Sequence, residues 1–513
     1  MKNLTTWNPE DPAFWSEHGK PVASRNLWIS VPSLLAAFAV WLYWSVIIVQ
    51  MKNCGFAFST DQLYTLPAIA GLTGATLRIP NSFLVSMAGG RNVIVLTTAL
   101  LLLPALLTGF ALQSIDTPYS TFVVAAALSG IGGGNFASSM SNISFFYPKK
   151  QQGAALGVNA GLGNLGVSVM QLLLPLAATT AVFFGLEGAG IPSLADATGG
   201  VSQIFYLQNS GFIWVPFLVV LVLAGWFGMN NMPFHYNGSA VVAFGKIFWL
   251  ILLGLVAAGI GLYLLLELGV SMWLVLPLTI ILTLAVLRYV TPSSVRSDLK
   301  AQFEIFNKKH TWLMTWLYVM TFGSFIGYSA AFPKLIQDVF GFLPDGTVNP
   351  NAPNPLAYAW LGPLVGSLVR PLGGWISDKL GGARVTHWDT ILMIAAALGV
   401  AYFVQQAAQS PTPEEYFAPF LILFLLLFIT TGIGNGSTFR MIPIIFESKY
   451  AGPILGWTSA VAAYGAFIIP KIFGTQIQAG HAEYALYGFA VYYLTCLAVN
   501  WWFYARKHAE IPC

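Results

Sequence analysis

Charge is the scarcest ingredient of this 513-residue sequence. Asp, Glu, Lys and Arg make up 8% of it, against about 25% in an average soluble domain. A soluble chain of this length could not cover its surface with so few charges. With 56% hydrophobic residues and a mean hydropathy of +0.70, the composition excludes a disordered, a fibrous or a soluble multidomain protein. It leaves a chain whose solvent is largely lipid. Cysteine is also rare. Cys54, Cys496 and Cys513 have no metal-ligand spacing and make no disulfide framework, so neither a metal nor a cofactor is expected. The net charge of +4 is scattered over helix ends without a basic stripe, which argues against nucleic acid. Catalytic constellations are missing too, so an enzyme is not expected. The first 26 residues are polar and include Pro9, Glu10 and Asp11. A cleavable signal peptide opens basic and turns apolar at once, so the first apolar run is expected to stay as a membrane helix.

What the chain has in abundance is apolar sequence in lengths that span a bilayer, about 20 residues each. Such runs start near Leu27, Gln62, Val93, Thr121, Gly153 and Gly211, and again near Trp312, Leu356, Val385, Tyr416, Gly452 and Ala482. Two more lie between the groups, at about 247–266 and 269–290, giving about 14 in all. They are continuous rather than alternating, which predicts helices and not barrel strands. The expected organisation is a tail (1–26), a six-helix bundle (27–232), a linker (233–311) holding an extra hairpin at about 247–290, a second six-helix bundle (312–506) and a short tail (507–513).

The two groups of six read as a duplication. Gly130-Ile-Gly-Gly-Gly134-Asn-Phe136 is matched by Gly432-Ile-Gly-Asn-Gly436-Ser-Thr-Phe439. Gly153-Ala-Ala-Leu-Gly157 is matched by Gly452-Pro-Ile-Leu-Gly456, and Arg78 by Arg370. Their offsets are 302, 299 and 292 residues. Parallel repeats of this kind are a transporter architecture. Placing both termini in the cytoplasm puts 17 of the 23 Lys and Arg residues there and only Lys52, Lys334 and Lys471 outside, the bias that orients membrane proteins.

Arg78 and Arg370 are the sharpest chemical signal. Each lies inside an apolar span, where a charge costs about 2.5–3.5 kcal/mol even on the lenient insertion scale. At equivalent repeat positions they would face each other across a pseudo-two-fold axis. No carboxylate lies centrally in a span: Asp61, Asp378, Asp389 and Glu447 are read near span ends. Two guanidiniums without an acid call for an anion; the competing reading has each neutralised or snorkelling to the surface. Tyr318 and Phe322, four residues apart, share a helix stripe. With Phe136 they would make a sandwich for a flat ion, with Tyr318 and Asn164 donating at its edge. From spacing alone, the reading of these aromatics as core or lipid-facing outweighs the sandwich. Gly130 and Gly134, then Gly153, Gly157 and Gly161, and in the second half Gly432, Gly436, Gly452 and Gly456, put small residues on single faces where helices approach closely or slide.

The loop Gly374-Trp-Ile-Ser-Asp378-Lys379-Leu-Gly381 resembles the cytoplasmic motif of the major facilitator superfamily. Its first-half counterpart, Met87-Ala-Gly-Gly90-Arg91, lacks the aspartate. More specifically, the stretches Gly130 to Pro148, Gly153 to Asn164 and Gly432 to Pro443 resemble the nitrate signatures of the nitrate/nitrite porter family. The resemblance covers roughly Leu27–Arg506, apart from the hairpin. It implies an all-α, major facilitator fold and a multi-pass transporter of the bacterial inner membrane, acting on nitrate and nitrite as a monomer in nitrate assimilation. It also implies substrate binding by Arg78 and Arg370, a sandwich by Phe136 and Phe322, and hydrogen bonds from Asn164 and Tyr318, with Asp378 and the glycines in packing and gating. Like charges repelling in the empty carrier favour nitrate/nitrite exchange. A nitrate/proton symporter is the alternative, and an anion channel or a membrane sensor comes from a different class.

Overall fold

A computed structural model describes residues 4, 6–181, 189–194, 203–233, 238–291 and 303–513. Among these, the only sheet is a two-residue antiparallel pairing, Ile191–Pro192 with Ile204–Phe205. The remainder is organised by 14 long helices. The first six are α1 (Pro12–Asn53), α2 (Thr60–Ala88), α3 (Gly90–Ala111), α4 (Tyr119–Phe146), α5 (Lys149–Ala178) and α6 (Asn209–Gly228). The hairpin is α7 (Ala240–Leu266) and α8 (Met272–Tyr289). The last six are α9 (309–340), α10 (Leu361–Leu380), α11 (Gly382–Gln409), α12 (Phe417–Ile445), α13 (448–478) and α14 (Ala482–Asn500). Eleven of them are long and apolar enough to cross a bilayer on composition. The other three, α2, α9 and α10, carry Arg78, the Lys334–Asp338 ion pair and Arg370 in their interiors. Of these, α2 and the second part of α9 are buried among other helices along nearly their whole length, whereas α10 buries Arg370 on one face and exposes Leu368, Leu372 and Trp375 on the other.

Two starts differ from expectation. The hairpin begins at Ala240 instead of 247, where Ser239 caps the helix. The first helix begins at Pro12, ahead of Leu27, because Asp11 accepts a hydrogen bond from the Ala13 amide and proline occupies the first helical position, a start signal that hydropathy does not see. This polar turn is anchored by Trp7, whose indole donates to the Phe145 carbonyl (3.0 Å).

Within the first bundle α1, α2, α4 and α5 pack together, and in the second α10, α11, α12 and α14. The hairpin lies against α2 through α7. Between bundles, α1 meets α9, α2 meets α13 and α5 meets α10. That pattern is the one a two-fold axis produces when α2 corresponds to α10 and α5 to α13. The repeat extends to the backbone: Gly89 and Gly381, 292 residues apart like the two arginines, both turn the chain with positive φ (80° and 90°), which glycine adopts without a Cβ clash.

The two bundles are tied along one half of their interface. Lys471 on α13 reaches both carboxylate oxygens of Asp61 (2.8 Å each) and Thr65 (3.0 Å) on α2. Gln337 on α9 donates to Asn53 (2.7 Å), Gln171 on α5 to the Ser329 carbonyl (2.9 Å), and Thr76 meets Tyr464 (2.9 Å). These ties run from the face opposite the termini to mid-depth. Towards the face that carries the termini, positions 153 and 157 on α5 look onto open space. The hydrogen bonds and the ion pair between the bundles named here thus lie on the side opposite the termini, and the start of α5 is exposed on the other.

Candidate functional site

Arg78 is 0% exposed at mid-length of α2, and Arg370 is buried on α10. Among the described residues neither joins a salt bridge. Asp389, expected near a span end, is instead buried well inside α11 with Oδ2 lacking a hydrogen-bond partner. It faces Gly434 and forms no ion pair: a Cβ placed at Gly434 would stand 2.7 Å from Asp389 Oδ2 and from the Thr321 methyl.

The compensation of Arg78 is aromatic and main-chain. Its Cζ lies 4.7 Å from the Phe136 ring, 4.9 Å from Phe322, 5.2 Å from Trp41 and 6.0 Å from Phe38, all within the reach of cation–π attraction. Nε donates to the Gly133 carbonyl (2.8 Å), and Nη1 crosses to the second bundle to donate to the Ser459 carbonyl (3.1 Å). Nη2 has no partner. Arg370 donates through Nη2 to the Tyr318 hydroxyl (3.5 Å), sits 5.5 Å from the Phe439 ring and leaves Nη1 without a partner. Both guanidiniums and Tyr318 lie within electrostatic reach of one another.

A single π turn at Val319–Gly323 shapes the aromatic wall; such turns recur at functional sites. It leaves Tyr318 and Phe322 stacked, with centroids 5.8 Å apart and planes at 12°. Phe136 and Phe322 also stack, at 6.0 Å and 26°. The point midway between these two rings is about 3.7 Å from Arg78 Cζ, from the triangle the three distances define, close to where a guanidinium holds an oxyanion. Asn164, on α5, is buried with Oδ1 unpartnered. The six candidate residues thus come from α2, α4, α5, α9 and α10, and the arginines and rings converge at the bundle interface.

A further residue of the site, Trp41, carries no mark in the sequence. It is fully buried, its indole donates to the Ala70 carbonyl (2.7 Å), and it floors the Arg78 guanidinium. Nothing marks it among 17 tryptophans. The indirect signal is the glycine cluster: a Cβ at Gly133 would stand 2.6 Å from Trp41 Cε2 and 2.7 Å from Gly74 Cα. That glycine is small to seat the indole as well as the neighbouring helix.

The other glycines divide. A Cβ at Gly130 would meet the Gly74 amide at 2.6 Å, and one at Gly134 would meet Asn81 at 2.7 Å, both on α2; Gly432 and Gly436 pack as closely on α10. Gly161 and Gly456 make ordinary contacts, with Pro371 at 4.0 Å and Ser82 at 3.4 Å. Gly153 and Gly157 correct the packing expectation, because a Cβ at either meets nothing within 4 Å. A four-residue spacing defines a face but not what that face meets, and here it meets no neighbouring helix. Close approach on α5 falls instead to Gly163 and Gly166, against Leu34 and the Leu35 backbone. The packing of Gly452 lies outside the described residues. The stretch from Gly374, expected as a loop, is the last turns of α10 up to Leu380, and there Asp378 pairs with Arg440. In the first half Asn231 Oδ1 caps the start of α3, accepting from the amides of Arg91 (2.9 Å) and Asn92 (3.4 Å).

No family model matches the chain. Its sequence is 39% identical over 511 residues to the probable nitrate/nitrite antiporter NarK2 of Thermus thermophilus, covering 99% of this chain and 98% of the relative. It is 38% identical over 526 residues to the nitrate/nitrite transporter NarU of Salmonella typhimurium, covering 98% and 96%. Among solved structures the fold is similar to a peptide transporter POT in complex with alafosfalin (TM-score 0.60, 13% identity, 94% and 97% covered). It is also similar to a bacterial homologue of the lysosomal transporter Spinster in an inward-facing conformation (TM-score 0.58, 14% identity, 94% and 96% covered). The structural neighbours give the fold, and the near full-length sequence relatives give the family: this multi-pass membrane protein belongs to the nitrate/nitrite porter family of the major facilitator superfamily.

Proposed function

We propose that the protein exchanges nitrate and nitrite across the bacterial inner membrane by alternating access around one central site. The observation that carries this reading is a pair of buried guanidiniums, one from each bundle, with no carboxylate paired to either and each with an unpartnered nitrogen. The anion is held between Arg78 and Arg370, with Phe136 and Phe322 on its faces and Tyr318 and Asn164 at its edge. A planar guanidinium fork matches paired oxygens. The names of the full-length relatives point to the same substrates.

The geometry links binding to movement. A flat ion sandwiched at about 3.5 Å from each ring needs about 7 Å between them, and Phe136 and Phe322 stand 6.0 Å apart. Phe136 belongs to the first bundle and Phe322 to the second, so seating the ion parts the rings by about 1 Å and acts on the bundles themselves. Without an anion, two like charges close together oppose occlusion, and Nη1 of Arg78 bonds the opposite bundle instead. A carrier that reorients only when loaded is an exchanger. With both termini in the cytoplasm, as the Lys and Arg bias orients the chain, the side tied by Asp61–Lys471 faces away from the cell interior.

Vesicles carrying the purified protein and loaded with nitrite test this. Nitrate uptake is expected to need internal nitrite or nitrate and to be indifferent to a pH gradient. Uptake that requires the gradient and ignores internal nitrite overturns exchange in favour of symport, and flux without saturation makes the protein a channel.

A further inference from the structure

Nitrate and nitrite share two oxygens, and nitrate has a third. A site that tells them apart needs a donor for that third oxygen, beyond the groups that serve both ions. The α5–α10 contact between the bundles supplies a candidate. This contact is pinned at two places. Ser168 donates to the Trp360 carbonyl (2.8 Å), and a Cβ at Gly161 would touch Pro371 at 4.0 Å. The two helices therefore run antiparallel, and the level of Asn164 on α5 falls near residue 366 on α10.

With about 100° of rotation per residue, Ser367 lies about 30° from the middle of the α10 contact line, and Arg370 lies about 90° from it on the same side. Asn164 lies about 50° from the middle of the α5 line. In antiparallel helices rotations of equal sign lead to the same flank, so Asn164, Ser367 and Arg370 converge on one side of the contact. Ser367 stands one turn from Arg370, at the level of Asn164.

Ser367 is 2% exposed and its hydroxyl has no partner. A serine inside a helix ordinarily bonds back to the carbonyl four residues earlier. Ser377, on the same helix, does so with Gly373 at 2.7 Å; Ser367 does not. Asn164 Oδ1 and Arg370 Nη1 beside it are likewise unpartnered.

Resting on the nitrate/nitrite reading above, we infer that Ser367 is a specificity residue of the anion site, its hydroxyl donating to the oxygen that nitrate has and nitrite lacks. The arginines hold the oxygens common to both ions, and the hydroxyl reaches nitrate's third oxygen, where nitrite presents only a nitrogen lone pair set farther back.

The test compares KM for nitrate and for nitrite in vesicles carrying wild-type protein, S367A and S367T. S367A is expected to raise the nitrate KM about tenfold, the loss of one hydrogen bond to a charged ligand, and to change the nitrite KM by less than about twofold. S367T keeps the hydroxyl and is expected to keep the wild-type ratio. Equal changes for both ions, or no change for either, overturn the inference. If S367A does not fold, S367C, of nearly the same size but a weak donor, makes the same comparison. Wild-type vesicles that move neither ion would sink the functional reading itself; wild-type exchange with an unaltered S367A ratio sinks only the role of Ser367.

Discussion

Replacing Arg78 by lysine keeps the charge at mid-membrane and removes the fork, so it separates Coulomb attraction from directed hydrogen bonding. In the structure Nε is committed to the Gly133 carbonyl at 2.8 Å and Nη1 to Ser459 at 3.1 Å, while Nη2 is unpartnered. A lysine has a single nitrogen. Anchored to Gly133 as Nε is, the ammonium stops short of the point between Phe136 and Phe322; extended to the ion, it abandons Gly133. Either way one charge-assisted hydrogen bond is lost. Such bonds contribute about 1.5–3 kcal/mol, which converts to about 10- to 150-fold in affinity. The Arg78→Lys protein should therefore insert and fold, and its nitrate KM in vesicle exchange should rise at least about tenfold, with nitrate-induced thermal stabilisation falling in parallel. If charge alone mattered, the change would be under about twofold. A lysine variant with KM within twofold of wild type refutes recognition by the guanidinium fork.

Three further outcomes follow from the packing. Lys471→Gln removes the inter-bundle pair with Asp61, whose side chains are 16% and 31% exposed; a partly screened pair contributes at most about 1 kcal/mol, so a cysteine at position 337, facing that closed side, should react with a thiol reagent up to about fivefold faster in the K471Q background, and unchanged labelling would mean the pair does not hold this side shut. Trp41→Ala deletes the floor of the Arg78 site and should lower the thermal midpoint sharply, in line with about 3–5 kcal/mol for a buried tryptophan, whereas Trp41→Phe should retain more stability and much of the nitrate affinity; equal affinity in all three proteins would remove Trp41 from the site. Gly157→Ala meets open space and gains up to about 1 kcal/mol of helix propensity, so its melting temperature should hold or rise, while Gly133→Ala drives a methyl into Trp41 and Gly74 and should melt lower; the reverse order would contradict the packing described for α4 and α5.

Much of this fold can be read in one dimension. Apolar runs announce their own length, and the pairs Arg78/Arg370 and Gly130/Gly432 announce the repeat. The starts of α1 and α7 cannot be read this way from hydropathy, because they are set by caps, Asp11 and Ser239, in polar sequence. The glycine face at Gly153 and Gly157 has the same spacing whether it meets a helix or nothing, and in the structure it meets no neighbour. The cap at the start of α3 cannot be read locally either, because it comes from Asn231, 140 residues away from Arg91.

The sequence alone determined that the solvent is lipid, that the helices come in two sets of six with a hairpin between, and that two arginines lie at matching depths. These are properties of composition and local order, and each is decided by residues within a helix length of one another. The tertiary structure decided that Arg78 is held by Trp41, Phe136, Phe322 and two carbonyls rather than by an acid. It also decided which side of the bundle interface is tied, through Asp61–Lys471, and that the hydroxyl of Ser367 is buried without a partner. Those outcomes depend on how far each helix is rotated about its own axis and against which neighbour. That rotation is set by the sum of many contacts between distant segments, and no single segment carries it.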